Sequence, residues 1–572
     1  MKKFAILANP ASHSLSPAMH NAVFSKILEK NYVYGREEIS SENLSNFMQN
    51  FQEDSNFLGL SVSVPHKENV IEFCEIDESV EYIGAVNTIY KKNINNKIKI
   101  CGTNTDWIGF KKSLEKQYNA QKKRYLVLGA GGASRAIIYA LLKCDATQIY
   151  IWNRTEKSAQ NLVEHFSGIS DKIYLAKTDK LPEISVNIDC IINTTSVGMQ
   201  GELENISSFP KNLFQSFHSA YDIVYTPKKT VFLSDCEQAG GKIMTGEEML
   251  FFQGVEQSRL FLAENFIKNA ENIMRDALSL ATRVFKNWKA PQLSTKEKQN
   301  ILQTIVQNKK QELFLSREFL YKQEQEKNIN NSLKILEENK FRFFKKLKTK
   351  KSNNSPHVIA EIKPASPSKG QIFLKDDTVE NIAMLYEKND ISCVSVLTDF
   401  TFFGATDKNL KKANNSINLP LLRKDFIIDV SQIAEAYYLG ASAVLLMRSV
   451  LSAEKIEEFI LYAKKYSLDC LVEVHNENEL RDVLENTSAN IIGVNTRDLK
   501  TLTINPENFQ NLLEIAKKYP SFSEKIWIAE SGISSKSDIK NYASEADAVL
   551  VGTGILMSGD NTKRKKVLKD LV

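Results

Sequence analysis

The sequence offers little for a disulfide framework or a metal centre. Its seven cysteines, at 74, 101, 144, 190, 236, 393 and 470, are scattered, odd in number and never in a CxxC or Cys/His spacing suited to zinc. They read as reduced packing residues, and no metal site is expected. Long apolar runs are missing too. Nothing approaches the roughly 18 uninterrupted apolar residues of a membrane span, and the opening MKKFAILANP meets Asn9 and Pro10 before a secretory-type stretch can form. A cytoplasmic protein with no membrane partner is expected. Charge of one sign is in small excess: 74 Lys and Arg against 69 Asp and Glu leave +5, which makes no case for a nucleic-acid partner. Glycine and proline number only 23 and 13, leaving little room for long disordered tracts.

What is present is enough apolar residue, 42% of 572, to bury several cores. At roughly one domain per 150 residues, a single compact domain is excluded. Up to residue 270, strand-like runs such as FAIL (4–7), GLSVSV (59–64), YLVLGAG (125–131), IYIWNR (149–154) and IDCIINTT (188–195) alternate with helical stretches, the pattern of an α/β fold. The pattern then turns helical and runs into a polar segment containing Pro291; a linker is expected over 286–297. Beyond a charged helical lead-in, eight short apolar runs recur with helices between them, beginning near 358, 393, 419, 443, 468, 491, 526 and 548. That rhythm predicts a (β/α)₈ TIM barrel over 298–572, with chemistry at the C-terminal ends of its strands. The Lys-rich FRFFKKLKTKKSNN (341–354) reads as a solvated helix and loop.

In the first half, Gly129, Ala130, Gly131, Gly132 and Ala133 follow a strand and open a helix. Small residues there let backbone N–H groups approach a pyrophosphate at the helix N-terminus. The next strand ends in Asn153-Arg154-Thr155 instead of an acid. An acid would bind a free ribose 2′-hydroxyl, whereas Arg beside a hydroxyl suits a 2′-phosphate, so the expected cofactor is NADP (NADPH).

Around this turn stand HSLSP (13–17), SVSVPHK (61–67), GAVNTI (84–89), GTNTDWIGF (102–110), TTSVGM (194–199), DIVYTP (222–227) and GEEMLFFQG (246–254). Together they resemble shikimate dehydrogenase across residues 1–270. The resemblance implies a shikimate-binding catalytic domain over 1–107, completed by helices within 245–285, and a Rossmann-type NADP-binding domain over 108–244. It implies that Ser14 and Ser16 hold the substrate carboxylate, that Ser63, Asn87 and Gln253 hold ring hydroxyls, and that Lys67 and Asp106 form the catalytic pair. Such a lysine can protonate the oxyanion left when hydride reaches a ketone carbon. The sequence departs from the family at Ser61 and Ser63, where Asn and Thr are usual, and at Ala8, where Gly is.

In the second half, period-2 alternation along the first barrel strand puts Glu361 and Lys363 on one face, costly unless they meet a partner or substrate. Other strand ends carry Lys424, Glu473, Asn495, Arg497 and Glu530-Ser531-Gly532, and the last ends in Gly552-Thr553-Gly554. Glycines after the last two strands are where barrels cradle a phosphate, so a phosphorylated substrate is expected. This series resembles indole-3-glycerol phosphate synthase. The resemblance implies ring closure of 1-(2-carboxyphenylamino)-1-deoxyribulose 5-phosphate with loss of carbon dioxide and water, without a cofactor. It makes Lys424 the general acid, and Glu473 and Glu361 general base and charge partners. Lys363 reaches the anthranilate carboxylate or assists a second protonation. Asn495, Arg497 and Ser531 position the substrate, Ser366, Gly532, Gly552 and Thr553 hold phosphate, and Phe402 and Phe403 flank the aromatic ring. Pro364 and GAT (404–406) depart from the family pattern.

A bifunctional enzyme of aromatic amino-acid biosynthesis is therefore expected, acting on small molecules as a monomer or homodimer. Two alternatives stand beside it: a quinate/shikimate-type dehydrogenase of broader specificity, or one half reduced to a structural or binding module.

Overall fold

The computed structural model describes residues 1–572 except 12–13, 28–30, 95–96, 283–287, 295–296, 298–299, 319–320, 322–340, 350–354, 498–503, 541 and 543–544. Parts of the expected linker (286–287, 295–296), His13 of the HSLSP motif, much of the helical lead-in and the end of the Lys-rich run lie outside the described residues.

The chain separates into two compact units between Ala281 and Thr282. Residues 288–294, expected as part of a linker, accordingly fall inside the second unit. Trp288 is the physical reason: half-buried, it donates its indole N–H to the Thr401 carbonyl at 3.3 Å instead of standing in solvent.

In the first unit, β1 (Lys2–Ala8), β2 (Tyr32–Glu38), β3 (Phe57–Val62), β4 (Glu75–Ile76), β5 (Thr88–Ile94) and β6 (Lys97–Thr103) form a mixed sheet of order β2-β1-β3-β5-β6-β4. Strands β1, β2 and β3 pair in parallel, whereas β5 runs antiparallel to both β3 and β6. The second sheet is all parallel: β7 (Arg124–Leu128), β8 (Gln148–Trp152), β9 (Ile173–Leu175), β10 (Cys190–Asn193), β11 (Ser219–Asp222) and β12 (Lys242–Met244), in the order β12-β11-β10-β7-β8-β9. The order reverses between β7 and β10, and ligands of doubly wound sheets bind beyond the carboxyl ends of the strands at such a point. Helix Glu247–Leu262 presents Phe251, Val255 and Leu262 to a core shared with Phe4, Met19 and Tyr34. Its approach to helix Asp106–Gln117 is close: a Cβ on Gly109 would lie 2.7 Å from Gln253 N and 2.8 Å from Met249 O. Only glycine allows that crossing, and Asp106 stands one turn before Gly109 at the start of the same helix.

The second unit is a closed barrel. After β13 (His357–Ile362), a short hairpin of β14 (Ala365–Ser366) and β15 (Gly370–Gln371) intervenes. The ring is completed by β16 (Cys393–Leu397), β17 (Leu421–Lys424), β18 (Ala443–Met447), β19 (Asp469–Val474), β20 (Ile491–Asn495), β21 (Ile526–Glu530) and β22 (Ala548–Val551), with β22 pairing back to β13. All eight expected strands are present. Alternation sorts each strand: Val358, Ala360 and Ile362 face the helices, while Ile359, Leu422, Leu471, Ile491, Ile528 and Leu550 fill the interior. Glu361, Lys424, Glu473 and Glu530 share the interior parity, so the upper layer of the barrel is charged where the lower ones are apolar. Helices between the strands start on side-chain caps from Thr378, Asp429, Ser452 and Asn476, and the helix Asn561–Leu571 after the last strand on one from Asp560. The Lys-rich run is a helix, Arg342–Lys348, that buries Phe343 and Leu347 among the lower interior residues and leaves Lys345 and Lys346 exposed.

Among the described residues, no helix is long and apolar enough to cross a membrane, and no His, Cys, Asp and Glu cluster could hold a metal ion. The seven cysteines are free thiols.

Candidate active sites

In the first unit, Lys67 follows the turn after β3 and donates to Asp106 Oδ2 at 2.6 Å, with side chains 16% and 10% exposed. Asn87 donates to the other oxygen, Asp106 Oδ1, at 2.7 Å, and its own carbonyl accepts from Thr105 N at 2.7 Å and Thr88 Oγ1 at 2.8 Å. Both Asp106 oxygens are thereby directed. Ser16 is buried and Ser14 and Ser63 are half-buried. Ser14 Oγ accepts from Ser16 N at 3.2 Å, and Arg36 pins the loop by donating to the carbonyls of Ala11 and Ser14 at 3.2 and 2.8 Å. Gln253 donates to Leu250 O at 3.0 Å on its own helix. Ser61, one of the departures, is fully engaged. It accepts from the Tyr34 hydroxyl at 2.6 Å and donates to Gln257 Oε1 at 2.8 Å; Gln257 in turn donates to Asn87 O and Thr88 Oγ1, each at 3.1 Å. Burial pushes the Tyr34 phenol up, so it stays a donor.

The glycine turn lies at the carboxyl end of β7, at the point of strand-order reversal. Gly129 has φ +116°, and a Cβ on it would sit 2.6 Å from Thr194 Oγ1. Ser134 Oγ bonds Thr194 Oγ1 at 2.6 Å and accepts from Gly131 N at 3.2 Å, opening the helix Gly132–Lys143. A Cβ on Gly131 would meet nothing within 4 Å, so this edge of the turn is open, and one on Gly132 would lie 3.8 Å from Lys67 Cδ. The turn and the lysine are neighbours. Ala130 and Ala133 flank the open edge half-buried. After β8, Asn153 donates to Thr155 O at 3.0 Å, while Arg154 and Thr155 are exposed, Arg154 without an acidic partner among the described residues.

In the second unit, the barrel mouth opens on a cavity of about 750 Å³, and every barrel residue singled out as a site candidate except Phe402 lines it, from Glu361 and Lys363 to Gly552 and Thr553. Lys424 Nζ lies 3.1 Å from Glu473 Oε2 and 2.5 Å from Glu530 Oε2; Lys363 pairs with Glu361. Two glycines make room for these carboxylates. A Cβ on Gly493 would fall 2.1 Å from Glu530 Oε1, and one on Gly552 2.5 Å from Glu361 Oε1. Burial opposes the charge on Lys424, but Glu530 and Glu473 outweigh it and hold the ammonium well above its usual range. The two glutamates diverge. Burial pushes Glu530 up to about 7 against the pull of Lys424, whereas Lys424 and His475 overcome burial at Glu473 and hold it below the usual carboxylate range. His475 lies 3.3 Å from Glu473 and 3.2 Å from Glu479, which raise it to about 10 against the cost of burial. Ser531 and Gly532 both adopt left-handed φ, +73° and +75°. Ser531 Oγ donates to Asn495 Oδ1 at 2.7 Å, and Asn495 Oδ1 also accepts from Arg497 N at 3.1 Å. Ser366 Oγ accepts from Lys369 N at 3.2 Å.

Sequence reasoning did not assign Glu530, although its place at the end of a barrel strand was visible, and it missed Phe426, which lines the cavity next to Phe403. Phe402 departs from expectation. Asp399 caps the short helix Phe400–Phe403 by accepting from Phe402 N at 2.9 Å, and Phe402 is buried in the wall while Phe403 faces the cavity. Helix Ile301–Glu312 is fixed beside the mouth by Lys309, which lies 2.9 Å from Asp399 and 2.8 Å from Asp425. Arg423 bridges Asp425 and Glu435 beneath it.

Three family profiles match the chain: the shikimate dehydrogenase substrate binding domain over 6–89, shikimate / quinate 5-dehydrogenase over 111–206, and indole-3-glycerol phosphate synthase over 302–568. The shikimate dehydrogenase (NADP(+)) of Caldicellulosiruptor bescii is 36% identical over 280 residues, 47% of this chain and 93% of that relative. The indole-3-glycerol phosphate synthase of Endomicrobium trichonymphae is 40% identical over 233 residues, 41% of this chain and 88% of that relative. That of Acetivibrio thermocellus is 43% identical over 204 residues, 35% of this chain and 75% of that relative. With a doubly wound unit followed by a closed barrel, the chain belongs to two families in tandem, the shikimate dehydrogenases in its first unit and the indole-3-glycerol phosphate synthases in its second.

Proposed function

We propose that the protein is a bifunctional enzyme that reduces 3-dehydroshikimate to shikimate with NADPH and, in its barrel, converts 1-(2-carboxyphenylamino)-1-deoxyribulose 5-phosphate to indole-3-glycerol phosphate. The observation that carries the first reading is the Lys67–Asp106 pair beside an open glycine turn. The open edge at Gly131 and an exposed Arg154 with no acidic partner among the described residues fit a dinucleotide with a 2′-phosphate, Gly129 to Ala133 facing the pyrophosphate and Asn153 to Thr155 the phosphate. When bound, NADPH supplies hydride. Lys67 then gives a proton to the carbonyl oxygen of the substrate, and Asp106, held by Asn87, orients the ammonium and stabilises its charge. Ser14 and Ser16 hold the substrate carboxylate, and Ser63, Asn87 and Gln253 its hydroxyls.

In the barrel, Lys424 carries the proton to the ribulose carbonyl oxygen as the new carbon–carbon bond forms. Loss of the ring carboxylate as carbon dioxide restores aromaticity, and departure of the hydroxyl as water needs one acid and one base. Lys363 with Glu361 on one side, and Glu473 with Glu530 on the other, supply such couples. Glu530 near 7 can give or take a proton at neutral pH, while Glu473 stays ionised. Amides after β21 and β22, with Ser366, hold the phosphate, and Asn495, Arg497 and Ser531 fix the sugar chain. A cytoplasmic setting accords with both reactions.

Both reactions should be assayed on the full-length protein, with Lys67→Ala and Lys424→Ala alongside. Lys67→Ala should lower shikimate-forming turnover by about 10²-fold or more and spare indole-glycerol phosphate formation; Lys424→Ala should do the reverse. Near-native turnover in either variant's own reaction would falsify that assignment.

A further inference from the structure

The residues that join the two units in sequence fall outside the family profiles, which end at residue 206 and resume at 302. A segment serving only as a tether has no reason to be apolar, yet Trp288-Lys-Ala-Pro-Gln-Leu293 carries four apolar residues in six. It is also held in place. Trp288 donates to the Thr401 backbone carbonyl at 3.3 Å, while the hydroxyl of Thr401 accepts from Asn308 Nδ2 at 3.2 Å and donates to Glu312 Oε1 at 3.3 Å. That clamp ties the segment to the loop carrying Phe403 and to the helix anchored by Lys309. From it, Ala290, Pro291 and Leu293 reach the barrel cavity, where Phe403 and Phe426 also lie, their ring centroids 6.3 Å apart. Pro291 and Leu293 stay only half-buried. Apolar surface held at the rim of a charged cavity gains by burial when a flat apolar group enters.

We infer that Trp288–Leu293 is a wall of the barrel pocket that receives the aromatic ring of the substrate, Pro291 and Leu293 touching the ring and Trp288 acting as the positioning residue. The inference rests on the synthase reading of the barrel. The lining divides by chemistry: strand-end charges and loop amides suit the carboxylate, carbonyl and phosphate, and this segment with Phe403 and Phe426 suits the ring.

The test uses full-length Leu293→Ala and Trp288→Ala, with dehydrogenase turnover and thermal unfolding confirming that each chain is folded. Synthase kinetics are measured with two competitors, the ring-bearing product indole-3-glycerol phosphate and ring-free inorganic phosphate. The expected result is a KM and a product inhibition constant about tenfold higher, with phosphate inhibition and kcat unchanged. If Leu293→Ala loses the barrel's unfolding transition, Pro291→Ala carries the same measurement. Native KM in the folded variants overturns the proposal. So does parallel weakening of both competitors, which would mean that the segment shapes the mouth without reading the ring. A wild-type chain that forms no indole-3-glycerol phosphate would instead sink the synthase reading itself.

Discussion

Replacing Gly493 with alanine should cripple the barrel reaction without replacing any group that meets substrate. Gly493 faces the interior on β20, its register partner on β21 being Ile528 and on β19 being Glu473. An added methyl would lie 2.1 Å from Glu530 Oε1, where ordinary contact begins at 3.4 Å, and 3.1 Å from Leu471 Cδ1. The carboxylate must therefore retreat by more than 1 Å. Glu530 is 1% exposed and lies 2.5 Å from Lys424, so its retreat loosens the hold on the ammonium. Misplacing a catalytic group by about 1 Å costs on the order of 10²-fold in rate, and the overpacking costs about 1–3 kcal/mol of stability. Full-length Gly493→Ala should accordingly lose about two orders of magnitude in kcat for indole-glycerol phosphate formation, while phosphate inhibition and dehydrogenase turnover in the same sample stay native. Shortening the displaced group makes room, so Glu530→Asp added to Gly493→Ala should cost less than the two single losses combined. A native kcat in Gly493→Ala would refute the reasoning, because the carboxylate would then have moved without consequence.

Arg154→Ala should cost about 1.5–3 kcal/mol of NADPH affinity and leave NADH use unchanged; equal losses with both cofactors would show that Arg154 does not read the 2′-phosphate. Lys309→Met leaves Asp399 and part of Asp425 buried without their cation, which should destabilise the barrel by about 3–5 kcal/mol, seen as a lower barrel unfolding midpoint with the dehydrogenase transition unmoved. Asp469, which accepts from Phe344 N at 2.9 Å, is pushed by burial up to about 7. Because its carboxyl titrates higher folded than unfolded, about 3.9 in the free chain, the folded state holds that proton more tightly. The stabilisation is complete below the unfolded value and is lost as pH rises to about 7. Asp469→Asn should thus flatten barrel stability against pH over that window, and parallel curves for the two proteins would count against it.

Much of the architecture was legible because strand periodicity is local. Eight apolar runs ending in polar residues fit a barrel with charge at its strand ends, and the alternation that put Glu361 with Lys363 also governs Lys424, Glu473 and Glu530. The glycine turn was readable for the same reason, since Gly129 needs its positive φ whatever surrounds it. The segment at 288–293 was not legible. Its lysine, glutamine and proline resemble those of any connector, and its apolar residues gain meaning only through Thr401, on a short helix distant in sequence, that holds Trp288. Phe402 and Phe403 were likewise indistinguishable in sequence, because which of two neighbours faces a cavity depends on how a single helical turn is set down.

The barrel and the dehydrogenase unit hid their remaining secrets in the same way, through partners that lie far apart in the chain. Glu530 stands where a site residue should, yet nothing near it in sequence says that it shares Lys424 with Glu473, or that burial and a like charge push the two carboxyls apart in acidity. Gly493 reads as a strand glycine until Glu530 occupies the space its side chain would need. Ser61 is the counterpart in the first unit. Read alone, it replaces an amide and loses a contact. In place, it stands between the Tyr34 hydroxyl and Gln257, and the donors run in one direction: Tyr34 to Ser61, Ser61 to Gln257, Gln257 to Thr88, Thr88 to Asn87 and Asn87 to Asp106. The Asn87 amide has one way round, with its nitrogen on Asp106, because its carbonyl also accepts from the Thr105 backbone N–H. Asp106 then offers its remaining oxygen to Lys67. The short side chain at position 61 is thus tied to the catalytic pair through four hydrogen bonds, and keeps the polar groups behind Asn87 satisfied.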